Sequence, residues 1–294
     1  MSRWAVELVG ESLDLSAGEL QGCLEAAGDA SVAIRLAGRH AVVDTDRMDA
    51  AMGRTALSRR AFEIAMEYPD ADHILRDPST IAGHVEGTYR LSVSPGDGAP
   101  PSTEGLAAAL AAAIPAKAAP RSPNTIVKVI VGSPTLVGVL RLSADRSAMM
   151  SRDVKRRPFF SPVSIRSTFA RALVNLSRAP AGGRFADPFC GGGGVLLEAA
   201  DIVGADVHGI DIDREMVSGA RANLAHFDLS ANVSEGDVSS VVGLAPLDAV
   251  ATDPPYGRST SLRNEGLAAI YRRMFESVAD ALRPGGHLAV ALPA

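Results

Sequence analysis

The 294-residue sequence predicts an α/β fold with a mostly parallel sheet, preceded by a smaller α+β region. Three observations carry that expectation. From Arg184 onward, short apolar runs alternate with helical segments, the βαβ pattern of a parallel sheet. The loops that follow the apolar runs hold the unusual residues: four glycines after Asp187-Pro188-Phe189-Cys190, and Asp253-Pro254-Pro255-Tyr256 further on. Ahead of about residue 145 the alternation of strands and helices is shorter, less regular and includes a hairpin-like pair.

Taken in order, residues 4–9 alternate and predict a strand, and 16–27 predict a helix opened by a capping box of Ser16 and Glu19. Short strands at 32–36 and 40–44 precede a helix at about 54–67. Residues 83–93 have strand character and run into a Pro/Gly/Ser-rich turn at 94–101. An alanine-rich helix at 105–114 is stopped by Pro115, and strands at 125–131 and 135–142 flank Gly132-Ser133-Pro134. The composition shifts near Arg146. Residues 152–157 (RDVKRR) are the most basic run of the chain, and Pro158-Phe159-Phe160 follows. That run reads either as a solvated face or as a phosphate-backbone contact or ligand lid. Ser164 opens a helix to Leu176, with Phe169, Leu173 and Leu176 inward and Arg166 and Arg171 facing solvent or substrate. Strands at 184–187, 206–210, 231–234, 247–252 and 287–292 then alternate with helices at 195–203, 214–226 and 266–282.

A 47% hydrophobic content at this length fills two modest cores and excludes wholesale disorder. Cys23 and Cys190 match neither a metal nor a disulfide spacing, which fits a reducing compartment. The histidines at 40, 73, 84, 208, 226 and 287 form no ligand motif, so no metal is expected. Met1–Gly10 has no secretory pattern, and Leu106–Ile114 is about half the length a membrane helix needs. A cytoplasmic protein with no membrane association is expected. A net charge of -5 argues against indiscriminate coating of nucleic acid but leaves room for local basic patches.

Glycines 191–194, between a strand and an apolar helix, suit a cofactor loop that a ligand approaches closely. The spaced glycines of a dinucleotide fingerprint are absent, and the loop opens with an acid. An acid suits a positively charged ligand, and S-adenosylmethionine carries an ammonium and a sulfonium. The cofactor candidates in this loop are Asp187, Pro188, Cys190, Gly191 and Gly193. Asp211, ending the second strand beside Ile212, is placed for a ribose hydroxyl pair; Asp213 shares that reading or caps the next helix. Asp237 and the Val238 N–H are placed for an adenine edge, or make a plain turn.

In Asp253-Pro254-Pro255-Tyr256 the prolines hold the backbone extended and leave its carbonyls free. Asp253 and the Pro254 carbonyl would accept the two hydrogens of a base amino group while Tyr256 stacks on the ring. These three are the candidate catalytic residues for methyl transfer to an exocyclic amine; a tight turn without chemistry is the plain alternative. Neither cysteine suits a covalent mechanism.

FFSPVSI at 159–165, ARALVNLS at 170–177, ADPFCGGGGVLLEA at 186–199, GIDIDREMVSGARANL at 209–224 and TDPPYG at 252–257 resemble the archaeal tRNA guanine N2-methyltransferases that modify guanosine 10. The resemblance is strong over 152–294 and holds only in outline over 1–145. It implies a Rossmann-like S-adenosylmethionine-dependent methyltransferase domain over 181–294 and a basic linker and helix over 146–180. Over 1–145 it implies a ferredoxin-like plus THUMP region that helps bind tRNA by the shape of its acceptor end. It further implies that Phe159 or Phe160 lies by the cofactor, that Asp253 engages the target amine, and that the product is mono- or dimethylguanosine.

Two departures stand out. The family's loop resembles FCGTGG, whereas Gly192 replaces the threonine, so weaker cofactor binding is expected. The family's sheet continues past its fifth strand, whereas the sequence ends at Ala294. C-terminal strands are therefore expected to be missing, leaving an edge for a further segment or a partner protein to cover. The residues leave open an amino methyltransferase of adenine, cytosine or guanine in ribosomal RNA or DNA, and an inactive RNA-binding relative.

Overall fold

The computed structural model describes residues 1–30, 32–76, 78–97, 103–161, 164–204, 206–255 and 266–292, which divide into two compact units. The first comprises Met1–Ala17, Asp29–Gly53 and Leu57–Ala144. Its strands are β1 (Ser2–Leu8), β2 (Arg35–Ala37), β3 (His40–Thr45), β4 (Ser58–Tyr68), β5 (Tyr89–Pro95), β6 (Thr125–Val131) and β7 (Thr135–Ser143). They form one sheet in the order β2-β3-β1-β4-β7-β6-β5. Helices α2 (Met48–Arg54), α3 (Ala71–Arg76) and α4 (Glu104–Ala112) intervene, and α1 (Leu13–Ala26) begins in this unit, its residues from Gly18 on belonging to the second. β6 and β7 form the expected antiparallel hairpin, Val127 opposite Val139, and β5 joins β6 in parallel. Val127, Val129 and Val137 pack with Ile74, Ile81 and Leu110 into a core.

Three readings of this region are corrected. The helix expected at 54–67 is the end of α2 followed by the long strand β4. Phe62 pairs with Ala5 of β1 on one edge and Leu140 of β7 on the other, so ladders on both sides override a helix-compatible composition. Residues 83–93 open with the end of a 3-10 turn (Pro78–His84), and pairing begins only at Tyr89. α1 starts at Leu13, where the Ser12 hydroxyl accepts the Leu15 N–H (3.2 Å), and Ser16 lies inside the first turn. Glu19 makes no capping box. Fully buried, it accepts the Thr55 hydroxyl (2.7 Å), the Ala56 N–H (2.6 Å) and the Asn175 amide (2.6 Å).

The second unit comprises Gly18–Gly28, Arg54–Ala56 and Asp145–Ala294. Its strands are β8 (Phe185–Asp187), β9 (Val207–Asp211), β10 (Asn232–Glu235), β11 (Leu247–Thr252) and β12 (Leu282–Val290), all parallel in the order β10-β9-β8-β11-β12. α5 (Ser147–Ser151), α6 (Ser167–Leu176), α7 (Gly194–Ile202), α8 (Arg214–His226) and α9 (Leu267–Ala281) complete it. An N-terminal α+β domain is thus followed by a Rossmann-like sheet. Both faces of the sheet are covered: Phe185 joins the core under α6, α7 and α8, and its neighbour Ala186 joins the core under α9. The expectation of missing C-terminal strands is corrected. β11 and β12 are in place and paired from Ala249–His287 to Thr252–Val290. That expectation rested on where the sequence ends, and nothing about strands beyond β12 follows from it. The order of chain crossings reverses between β8 and β11, the switch point at whose carboxyl ends parallel sheets form their ligand crevice.

The basic run is also corrected. Arg152 is buried and bonds Glu198 of α7 through Nε and Nη2 (3.0 Å each) and Asp201 (2.8 Å). Arg171, expected to face solvent or substrate, is buried against the same two carboxylates, while Phe169, expected inward, is half exposed. Arg157 is buried too, its Nε donating to the Arg152 carbonyl (2.9 Å). Only Lys155 and Arg156 of the run are exposed. Among the described residues no helix is long and apolar enough to cross a membrane, and no cluster of His, Cys, Asp and Glu could hold a metal.

Candidate active site

The strand ends at the crevice supply the acids. Asp187, the last residue of β8, is 1% exposed and accepts the hydroxyl of Thr252 (2.7 Å), the last residue of β11, and the Phe189 N–H (3.2 Å). Burial pushes its carboxyl up to about 7; the two hydrogen bonds oppose this, and the charges of Asp211 and Asp253 add to it. Pro188 is buried behind it. Gly191 (φ 49°) and Gly193 (φ 80°) adopt the left-handed conformation that favours glycine, and Gly193 caps α7. The Gly191 N–H donates to Asp211 (2.8 Å), whose other oxygen accepts the Asp213 N–H (2.8 Å). Burial raises Asp211 as well. Asp213 caps α8 through the Glu215 N–H (2.8 Å), leaving Asp211 the acid at the loop, with half-exposed Ile212 beside it.

Cys190 turns away from the crevice. Its thiol lies in the core, pushed far up by burial, and only its backbone borders the loop. Asp237 caps the 3-10 turn Val238–Leu244, accepting the Ser239 N–H (3.0 Å) and hydroxyl (2.7 Å), and pairs with Arg273 (3.1 Å). Burial pushes it up, but those hydrogen bonds and Arg273 outweigh burial and hold it below the usual range. The turn role is therefore visible for Asp237; Val238 is buried.

Asp253 differs from all of these. Half-buried after β11, its carboxylate receives no hydrogen bond among the described residues, and burial alone raises it. Pro254 is buried, and the Pro255 carbonyl accepts the Tyr271 hydroxyl of α9 (3.0 Å), which fixes the turn. Tyr256 lies outside the described residues. Asp187 and Asp211 thus end β8 and β9, and Asp253 directly follows β11, with no basic side chain paired to any of them among the described residues. Such a site suits a cation.

Phe159 rather than the exposed Phe160 reaches the glycine loop. Its N–H and carbonyl both bond the side chain of Asn223 (2.9 and 2.8 Å), which also donates to the Gly192 carbonyl (2.8 Å). Asn223, Thr252 and Tyr271 were not singled out from the sequence. Asn223 had a signal: it is a polar residue beside Ala220 and Leu224 on the apolar stripe of its helix.

Residues 154–294 match the family described as RMKL-like, methyltransferase domain. A tRNA (guanine(10)-N2)-dimethyltransferase of Methanothermobacter thermautotrophicus is 42% identical over 139 residues, 47% of this chain and 41% of that protein. A probable tRNA (guanine(10)-N2)-dimethyltransferase of Methanothermococcus thermolithotrophicus is 36% identical over 131 residues, 42% of this chain and 77% of that protein. The chain belongs to the archaeal tRNA (guanine(10)-N2)-methyltransferase family. The family match falls on the second unit, where the three acids lie. Over 98% of this chain and 88% of the other, the fold is similar to that of TrmN from Thermus thermophilus, with a TM-score of 0.56 at 22% identity. The chain spans about half the length of three such dimethyltransferases, of Methanothermobacter thermautotrophicus, Pyrococcus abyssi and Methanocaldococcus jannaschii.

Proposed function

We propose that the chain is a cytoplasmic S-adenosylmethionine-dependent methyltransferase of the guanosine N2 amine in tRNA, at position 10, giving mono- or dimethylguanosine. The observation that carries this reading is the trio Asp187, Asp211 and Asp253 around the glycine loop, with no basic side chain paired to it among the described residues. Three acids raised by burial, with no cation beside them among the described residues, fit a ligand with an ammonium and a sulfonium; family membership supports the substrate. We read 1–145 as a ferredoxin-like plus THUMP region that holds tRNA, 146–180 as linker and helix, and 181–294 as the catalytic domain.

Bound there, S-adenosylmethionine supplies a methyl group on a positively charged sulfur. Asp187 and the backbone of Pro188, Cys190, Gly191 and Gly193 face the methionine end, Asp211 and Ile212 the ribose, and Asp237 with Val238 the adenine side. Asp253 and the Pro254 carbonyl accept the two hydrogens of the target amine, turning the nitrogen lone pair toward the methyl donor. Burial makes the Asp253 carboxylate a better acceptor for the proton the amine gives up. Tyr256, outside the described residues, is the aromatic we assign to stack on the base. Tyr271, by holding the Pro255 carbonyl, keeps the turn in the shape this geometry needs.

The test is incubation with methyl-labelled S-adenosylmethionine and unmodified bulk tRNA, digestion to nucleosides and identification of the labelled product by mass. Labelled N2-methylguanosine or N2,N2-dimethylguanosine that disappears with Asp253→Ala is the expected result. Label in ribosomal RNA or DNA but not in tRNA would replace the substrate, and cofactor binding without transfer to any nucleic acid would replace the activity.

A further inference from the structure

We infer that Asn223 is a positioning residue for the cofactor loop, pinning the Gly192 peptide and the Phe159 segment to each other and to α8. The inference rests on the reading of that loop as an S-adenosylmethionine site and says what orders it in this chain.

Asn223 is fully buried and sits among Val217, Ala220 and Leu224 on the inward face of α8. A buried amide costs stability unless its groups are bonded, and an apolar residue would fill the same stripe without that demand. Here the bonds go to two other parts of the chain. Oδ1 accepts the Phe159 N–H (2.9 Å), and Nδ2 donates to the carbonyls of Phe159 and Gly192 (2.8 Å each). The partners fix the amide's orientation, because an N–H needs the oxygen and two carbonyls need the nitrogen.

The Phe159 ring completes the arrangement. A Cβ at Gly219 of α8 would lie 2.1 Å from the ring, and one at Gly192 would lie 3.2 Å from it. The ring therefore rests on two glycines, with no room for a side chain at position 219. Gly192 is flanked by the left-handed Gly191 and Gly193, so a run of four glycines has little of its own to hold one shape. The bond from Asn223 to the Gly192 carbonyl restrains the centre of that run. Order that a threonine side chain would contribute at this position is supplied from α8 instead.

The test measures S-adenosylmethionine affinity by calorimetry, well below the thermal midpoint, for the wild-type chain, Asn223→Ala, Asn223→Asp and Val278→Ala. Val278→Ala opens the core under α9 and serves as a control for lost stability. Asn223→Asp keeps the acceptor for the Phe159 N–H and loses both donors. Both Asn223 variants should weaken cofactor binding about tenfold, the loss of a buried hydrogen-bonded pin, while Val278→Ala lowers the midpoint and leaves affinity within about twofold. In the transfer assay the KM for cofactor should rise with kcat at saturation little changed. Wild-type affinity in both Asn223 variants overturns the inference and leaves the functional reading standing. Failure of both to fold at any temperature also overturns it, making Asn223 a folding residue. A wild-type chain that does not bind S-adenosylmethionine overturns the functional reading, and this inference with it.

Discussion

Two charge clusters lie in the second unit, and they are built on opposite principles. Arg152 and Arg171 meet Glu198 and Asp201 with each charge answered, Glu198 fully buried between two guanidinium groups. Asp187, Asp211 and Asp253 share one sign, are bonded to backbone or hydroxyl groups or, for Asp253, to nothing among the described residues, and are all raised by burial. The first cluster is closed and structural. The second is an electrostatic demand that the described side chains leave unmet, the mark of a ligand site. The basic run at 152–157, the more conspicuous in sequence, thus belongs largely to structure, and the proposed site is made of scattered acids.

Substitution should separate the two. Asp253→Ala should lower methyl transfer by about 10³-fold with the unfolding midpoint nearly unchanged, read by single-turnover transfer beside denaturant melts. A comparable loss of stability would show that Asp253 is structural and collapse the contrast. Glu198→Ala should do the reverse, costing about 3 kcal/mol of stability by leaving two buried guanidinium groups to share Asp201 alone, measurable as a shift in urea midpoint at constant slope. Cofactor affinity in whatever fraction stays folded should be near wild type.

The pH dependence sharpens the contrast further. Asp187 stands at about 7 in the fold against an ordinary 3.8, so the folded chain holds its proton more tightly than the unfolded one. Its contribution to stability is full below about 3.8 and is lost as pH rises through about 7. Binding of a cationic cofactor runs the other way, since it needs the ionised form. Affinity should fall by up to about tenfold per unit as pH drops below 7, and Asp187→Asn should flatten that profile. Titrations that are flat from pH 5 to 8 in the wild-type chain would remove Asp187 from the cofactor site. The smallest effect is expected from Tyr271→Phe, which frees the Pro255 carbonyl and should reduce transfer about fivefold without altering cofactor affinity.

Local pattern made much of the second unit legible. β11 and α8 run as their periodicity indicates, because a doubly covered strand is a continuous apolar run and an acid ahead of a helical pattern marks its start; of the two readings open for Asp213, the structure shows the cap. The acids at 187, 211 and 253 were found because strand ends are recognisable and parallel strands of one sheet bring their ends together. β4 was misread as a helix because what makes it a strand is two neighbours, β1 and β7, that lie elsewhere in the sequence. Arg171 was turned outward for the same reason: its carboxylate partners sit on α7.

Sequence alone determined the order of strands and helices in the parallel sheet, the loops that carry the unusual residues, and the acid at each of three strand ends, since these follow from short-range periodicity and turn chemistry. Tertiary structure alone decided which charges are answered and which are left over, that Cys190 faces the core, and that Asn223 reaches both Phe159 and Gly192. Burial and pairing are properties of the space between segments, and no window along the chain contains both partners.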